Sequence, residues 1–379
     1  MKILIASDSF KGSASSLEVA DSISAGMKSL RPDLEVLRLP VADGGEGTSE
    51  VLVEALGAKR VSVNVHDPLG REITADYTLR GNLAVIDMAA ASGLVLLSTD
   101  ELDPYKASTY GTGEMILDAV SKGATEIYIG LGGSATNDGG IGMAQALGVR
   151  ALTEAGTNIG PGAAGLAELH SLDLSGLDSR LKKLKFYAVC DVTNPLSGPD
   201  GAAYVYARQK GARADQLADL DRILLRYGQI LEQSSGRKVV DLSGAGAAGG
   251  MGAALFAFLG AEAKNGINTV LDLLSFDEHA EGADLLITGE GKMDNSSLSG
   301  KTAIGIARRA KKLGIPLIAV VGSCELNLDS VYTEGIDLVL PIVNGPMSLE
   351  KALENVGPLL FESGKRIVRI LELCNRRAR

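Results

Sequence analysis

The feature that most restricts the fold is a change of hydrophobic rhythm along the chain. Lys2–Ala6 (KILIA) is a continuous apolar run that ends in a polar turn, as a strand buried on both faces does. Ser15–Leu30 then places Leu17, Ala20, Ile23, Met27 and Leu30 at helical spacing behind a Ser15/Glu18 capping box, and Glu35–Leu39 is a second strand. This is a β-α-β unit, and a helix follows over Ser49–Leu56. The same style returns near residue 280, with strand Ala283–Thr288, helix Lys301–Leu313, strands Ile315–Val321 and Asp337–Ile342, and a terminal helical region Ser348–Asn375 interrupted at Gly357-Pro358. Between the two ends, Arg60–Val65, Glu72–Leu79 and Leu83–Met88 alternate with period two across polar turns and predict an antiparallel meander. A doubly wound domain carrying a large insertion accounts for both rhythms.

Composition narrows the class. The chain has 379 residues, 45% of them hydrophobic, enough for ample cores. The net charge is −10 and the basic cluster is confined to Arg376, Arg377 and Arg379, so no nucleic-acid partner is expected. Three widely separated cysteines form no CxxC pair and fit reduced thiols. The N-terminal apolar run meets Asp8 too early for a signal peptide, and Leu83–Leu97 is broken by Asp87 and Gly93. A soluble cytoplasmic protein with no membrane partner is expected.

Chemistry concentrates where strands end. Gly130–Gly142 (GLGGSATNDGGIG) follows the strand Glu126–Leu131 and opens a helix, an arrangement that turns backbone N–H groups toward an anion. Asp8, Asp43, Glu46, Asp138, Asp191, Glu290 and Asp294 all lie at such ends, accompanied by Lys11, Lys292 and Lys301. One Asp in a turn is ordinary capping, but this mixture is what phosphoryl transfer uses: carboxylates for Mg²⁺ and the acceptor proton, cations for phosphates. Gly289–Thr302 is no Walker loop, because Asn295 stands where a glycine is needed. Gly244–Gly249 satisfies G-x-G-x-x-G after a short strand, Lys238–Leu242, and leaves a nicotinamide-dependent oxidoreductase as an alternative. His66 and His170 read as turn or surface residues with no partner nearby.

Taken together, ASDSFKGS (Ala6–Ser13), PVADGGEGT (Pro40–Thr48), GLGGSATNDGG (Gly130–Gly140), CDVTNPLSGPDGAA (Cys190–Ala203), GAGAAGGMGAAL (Gly244–Leu255) and TGEGKMDNSSLSGKT (Thr288–Thr302) resemble the bacterial glycerate kinases of the glycerate 2-kinase type. The blocks keep the family's order across nearly the whole chain. The resemblance implies phosphorylation of D-glycerate by ATP with Mg²⁺, giving 2-phosphoglycerate. It also implies a flavodoxin/Rossmann-like α/β domain from residues 1–62 and 280–379, a mixed α/β insertion over 63–279, and an active site in the cleft between them. Asp191 is the expected proton acceptor, with Lys11 and Asp138 as further catalytic candidates. Asp8, Asp43, Glu46, Gly132, Gly133, Ser134, Thr136, Asn137 and Asn194 are expected on substrate or phosphate. Gly289, Glu290, Gly291, Lys292 and Lys301 are expected on the nucleotide, and Glu290 and Asp294 on the metal. The partners are small molecules, the assembly a monomer or homodimer, and a non-catalytic sugar-acid-binding protein is the second alternative.

Overall fold

The computed structural model describes residues 1–42, 51, 53, 55, 57–294, 297–298, 302–326 and 328–377, with side chains described as far as 373. Asp43, Glu46, Lys301 and most of the helix expected over Ser49–Leu56 lie outside the described residues. The chain divides into two compact units, one of residues 1–43, 54–56 and 267–379, the other of 44–53 and 57–266.

The first unit is built on a parallel sheet of β1 (Lys2–Ile5), β2 (Glu35–Arg38), β11 (Leu285–Met293), β12 (Leu317–Cys324) and β13 (Leu338–Pro341), in the order β13-β12-β11-β1-β2. Counted along this unit the order is 2-1-3-4-5, the doubly wound flavodoxin-like arrangement, which reverses direction between β1 and β11. Pairing runs Ile3↔Leu285 and Leu286↔Leu317. Ile3, Ile5, Leu285, Ile287, Ile318 and Val320 bury one face against Val19, Ile23, Met27, Leu360 and Ile367 of helices Ser16–Leu30 and Val356–Arg377. Those helices touch backbone to backbone: a Cβ at Gly26 would lie 1.9 Å from the Phe361 carbonyl oxygen, so only glycine fits. The predicted Ser15/Glu18 capping box is present. The C-terminal helical break falls at Asn355 instead of at Gly357-Pro358. Pro358 sits in the first turn of the long helix, where no intrahelical donor is lost.

The second unit holds a mixed sheet, β10-β9-β6-β5-β4-β3. The meander is β3 (Lys59–His66), β4 (Glu72–Arg80) and β5 (Leu83–Asp87), antiparallel throughout. β6 (Glu126–Gly130), β9 (Lys185–Val189) and β10 (Glu262–Lys264) continue it in parallel. The glycine- and alanine-rich stretch from Ala151 to Ser171 supplies a small ribbon, β7 (Arg150–Leu152) with β8 (Ser171–Asp173), and the short helix Gly162–Ala167 between them. The strand expected over Lys238–Leu242 is absent; that stretch is turn and irregular backbone.

Candidate active site

In the first unit a cavity of about 770 Å³ opens at the carboxyl ends of β1, β11 and β12, lined by Asp8, Lys11, Glu290, Gly291, Lys292 and Asp294. That is the topological switch point, where open parallel sheets receive ligands. The rest of its lining is largely apolar and includes Ile342, Val343, Met347 and Leu353. A site with both charged and apolar lining suits a flat base carrying phosphates. The Asp8 carboxylate accepts the Thr302 hydroxyl (2.7 Å) and the Ser9 N–H (2.7 Å), tying the end of β1 to the start of helix Thr302–Leu313. Lys292 Nζ bridges Asp294 and Glu325 at 3.1 Å each, and these two carboxylates raise its pKa. Gly289 is spent on packing: a Cβ there would lie 2.5 Å from the Val320 carbonyl oxygen.

Among the described residues no group of three His, Cys, Asp or Glu side chains is arranged to hold a metal ion. Mg²⁺ brought by a nucleotide needs only one or two carboxylates, with phosphate and water oxygens completing its shell. Glu290, buried, and Asp294 both line the cavity and are donors of that chemistry.

The second unit presents a different arrangement at its own strand ends. After β6 the chain runs through Leu131–Gly140. Leu131 N–H donates to Val189 O of β9 (3.1 Å), Ala135 N–H to Ser92 O (2.9 Å) and Gly139 N–H to Gly249 O (3.0 Å). Gly132 and Gly133 are exposed, whereas Ser134, Thr136, Asn137 and Asp138 are buried. The hydroxyl and amide groups expected to face a ligand therefore point inward. Asp138 has no exposure, and its carboxylate accepts the Thr109 N–H (2.8 Å), the Thr109 hydroxyl (2.8 Å), the Gly140 N–H (3.0 Å) and the Gly142 N–H (3.2 Å). Burial raises its pKa, against the pull of those donors. Four hydrogen bonds occupy the carboxylate, so this geometry makes Asp138 the organiser of the turn instead of a proton acceptor for substrate.

Asp191 is exposed two residues beyond β9, and its Oδ1 accepts the Gly266 N–H (2.8 Å) and the Asn265 amide. Asn194 is committed within its loop: its amide donates to Asp200 O (2.8 Å) and its carbonyl accepts the Tyr206 hydroxyl. Gly244–Gly249 is no dinucleotide cradle. A Cβ at Gly246 would lie 2.2 Å from the Pro195 carbonyl oxygen, and one at Gly249 2.1 Å from that of Thr136. Ala248, Gly249 and Gly250 all take left-handed backbone angles, which lets this segment lie flat on the glycine-rich turn.

Two pairings escape sequence reasoning. Lys210 is 1% exposed and its Nζ donates to Ser134 Oγ (2.8 Å) and Thr136 O (2.6 Å). Burial lowers its pKa to about 7, with Asp138 pulling the other way. The pair is separated by 76 positions from Lys210 to Ser134, and a single lysine ahead of Gly211 carries no mark of burial. His66, expected to stand alone, has Nδ1 2.9 Å from Glu114 Oε1 and packs edge-on to Tyr110.

Known proteins agree along the whole length. The model of the glycerate kinase family matches residues 3–372. A glycerate kinase of Bacillus subtilis (strain 168) is 46% identical over 376 residues, 99% of this chain and 98% of its own. A glycerate 2-kinase of Escherichia coli (strain K12) is 43% identical over 380 residues, covering 100% of both. A crystal structure from Salmonella typhimurium LT2, provisionally named glycerate kinase 2, superposes with a TM-score of 0.90 at 44% identity over 99% of each chain. None of these relatives is an oxidoreductase by name, and with Gly246 and Gly249 of the motif consumed by packing that alternative has no support. Motifs, topology and whole-length similarity converge: the chain belongs to the glycerate kinase family.

Proposed function

We propose that the protein transfers the γ-phosphoryl group of ATP to D-glycerate, giving 2-phosphoglycerate. The carrying observation is the cavity at the switch point, whose lining joins charged residues (Lys11, Lys292, Glu290, Asp294) with apolar ones. ATP fits this division, with the adenine against Ile342, Val343 and Leu353 and the phosphates toward the lysines. Glu290 and Asp294 would hold Mg²⁺, which when bound neutralises phosphate charge. Lys292, paired with Asp294 and Glu325, can exchange those carboxylates for phosphate oxygens. In the second unit the exposed Gly132 and Gly133 would offer backbone N–H groups to an anionic group of the acceptor. Asp191 would take the proton of the attacking hydroxyl, its carboxylate oriented by the Gly266 N–H and Asn265.

The test is ATP consumption with D-glycerate and Mg²⁺, run beside a panel of other hydroxy acids, with the product read by phosphorus NMR. Turnover with D-glycerate and a phosphate on the 2-oxygen supports the reading. A 3-phosphate refutes the regiochemistry, and D-glycerate binding without ATP turnover would leave a sugar-acid-binding protein.

A further inference from the structure

We propose that Lys210 is a positioning residue for the glycine-rich turn: its Nζ, donating to Ser134 Oγ and the Thr136 carbonyl, holds the turn so that Gly132 and Gly133 keep the acceptor's anionic group in register. The inference rests on the kinase reading and assigns a part to a residue outside the family-like blocks.

A fully buried lysine is rare unless it is paired, because its charge gives up hydration. Here the head group is met by one hydroxyl and one carbonyl of the same five-residue stretch. That stretch has no regular secondary structure of its own. The turn is pinned from outside by Leu94 N–H on Gly133 O (2.8 Å), by an isolated bridge between Gly93 and Ser134, by Ser92 O on Ala135, by Gly249 O on Gly139 and by Thr109 on Asp138. Lys210 adds the hydrogen bond to the side chain of Ser134, the residue adjoining the exposed Gly132-Gly133 tip. Its own approach is fixed by Gly211, which takes a left-handed φ of 97° and whose Cβ would lie 2.2 Å from the Leu102 carbonyl oxygen. The neighbouring Thr136 hydroxyl and Asn137 amide are buried with no hydrogen-bond partner among the described residues, so side chains beside this contact do little to anchor it. Burial keeps Lys210 from touching substrate and leaves it to act through the turn. Misplacing a binding group by about 1 Å can cost roughly 10²-fold in rate.

The experiment compares wild type, Lys210→Met, Ser134→Ala and the double variant in steady-state kinetics, with thermal unfolding and D-glycerate calorimetry alongside. Lys210→Met should lower kcat/KM for D-glycerate by about 10²-fold, by the misplacement scale above, while KM for ATP stays within twofold. Ser134→Ala should shift the same parameter less, and the double variant should resemble Lys210→Met because both act through one contact. A folded Lys210→Met with unchanged glycerate parameters overturns the proposal. So does a rise in KM for ATP as large as the loss for D-glycerate, or fully independent effects of the two substitutions. If Lys210→Met does not fold, Ser134→Ala alone decides: an unaltered KM and kcat for D-glycerate refutes the clamp. Should the wild type bind D-glycerate without turnover, the kinase reading fails and calorimetry still tests Lys210, by weaker binding in the variant. If wild type neither binds nor phosphorylates D-glycerate, both readings fall.

Discussion

The two clusters of charge at strand ends are made of the same residue types and obey opposite physics. In the first unit Lys292, Asp294 and Glu325 are partly or fully exposed, and their ion pairs compete with water. In the second, Asp138 and Lys210 are out of water altogether and every contact is short-range and specific. Exposed pairs are worth about 0–1 kcal/mol and exchange partners readily. A buried polar group whose hydrogen-bond partner is removed loses more, about 1–3 kcal/mol, because it is left unsatisfied out of water. On the proposed reading the first cluster receives a charged ligand, while the second holds a shape. The glycine-rich turn would then offer an anion its exposed backbone while its side chains serve as internal struts.

The largest effect should come from the exposed carboxylate of Asp191, just past β9, the strand paired with the one that leads into the strut-held turn. Asp191→Asn is expected to lower kcat by about 10²–10⁴-fold, the usual contribution of a general base, with an unchanged denaturation midpoint. Steady-state rates and urea unfolding measure both; activity near wild type in a folded variant removes Asp191 from the chemistry. Asp138→Asn should do the reverse. Its NH₂ would face donors from Thr109, Gly140 or Gly142, a loss of about 2–4 kcal/mol in unfolding free energy on the scale of an unsatisfied buried pair. A variant as stable as wild type but with kcat down by about 10²-fold would make Asp138 a catalyst and erase the contrast.

What was legible in the sequence follows the same line. Periodic elements could be read because burial on a sheet or helix repeats: the Ser15/Glu18 box, the meander and the parallel strands all lie where the pattern put them. Irregular backbone has no period, so the sequence shows that Ser134, Thr136, Asn137 and Asp138 cluster but not which way they face. Their direction is set by Gly249 and Gly250 packing on the turn from more than a hundred residues away. The same packing explains how Gly244–Gly249 satisfies a nucleotide motif without forming one. Lys210 and the His66–Glu114 pair depend on long-range neighbours, which a single sequence does not display.

The buried cluster should also show itself in the pH dependence of stability. Lys210 has a folded pKa of about 7 against 10.5 for an ordinary lysine. Between those values the unfolded chain holds the proton and the folded one has released it, so stability rises with pH through that window. The slope attributable to Lys210 is at most about 1.4 kcal/mol per pH unit. Tyr227, buried beside Asp138 and raised well above the usual tyrosine value, opposes the trend once the unfolded tyrosine ionises near the top of the window. Urea unfolding of wild type and Lys210→Met from pH 7 to 9.5 should show the rise in the former and a flatter line in the latter. Parallel lines would mean that the ammonium stays charged throughout.

The smallest effect is expected at the exposed cluster, and it sharpens the comparison most directly. Lys292→Ala removes an ammonium shared by Asp294 and Glu325 at the mouth of the switch-point cavity. Because both pairs are solvated, the urea unfolding midpoint should stay close to that of the wild type. Losing one cation from the phosphate side should raise KM for ATP about fivefold and leave KM for D-glycerate alone. The effect should shrink at high ionic strength, since an exposed charge is screened within about 10 Å at 0.1 M salt. A destabilised Lys292→Ala with an unchanged KM for ATP would mean that this lysine is a strut as well, and the ligand-receiving part would pass to Lys11 of the same cavity.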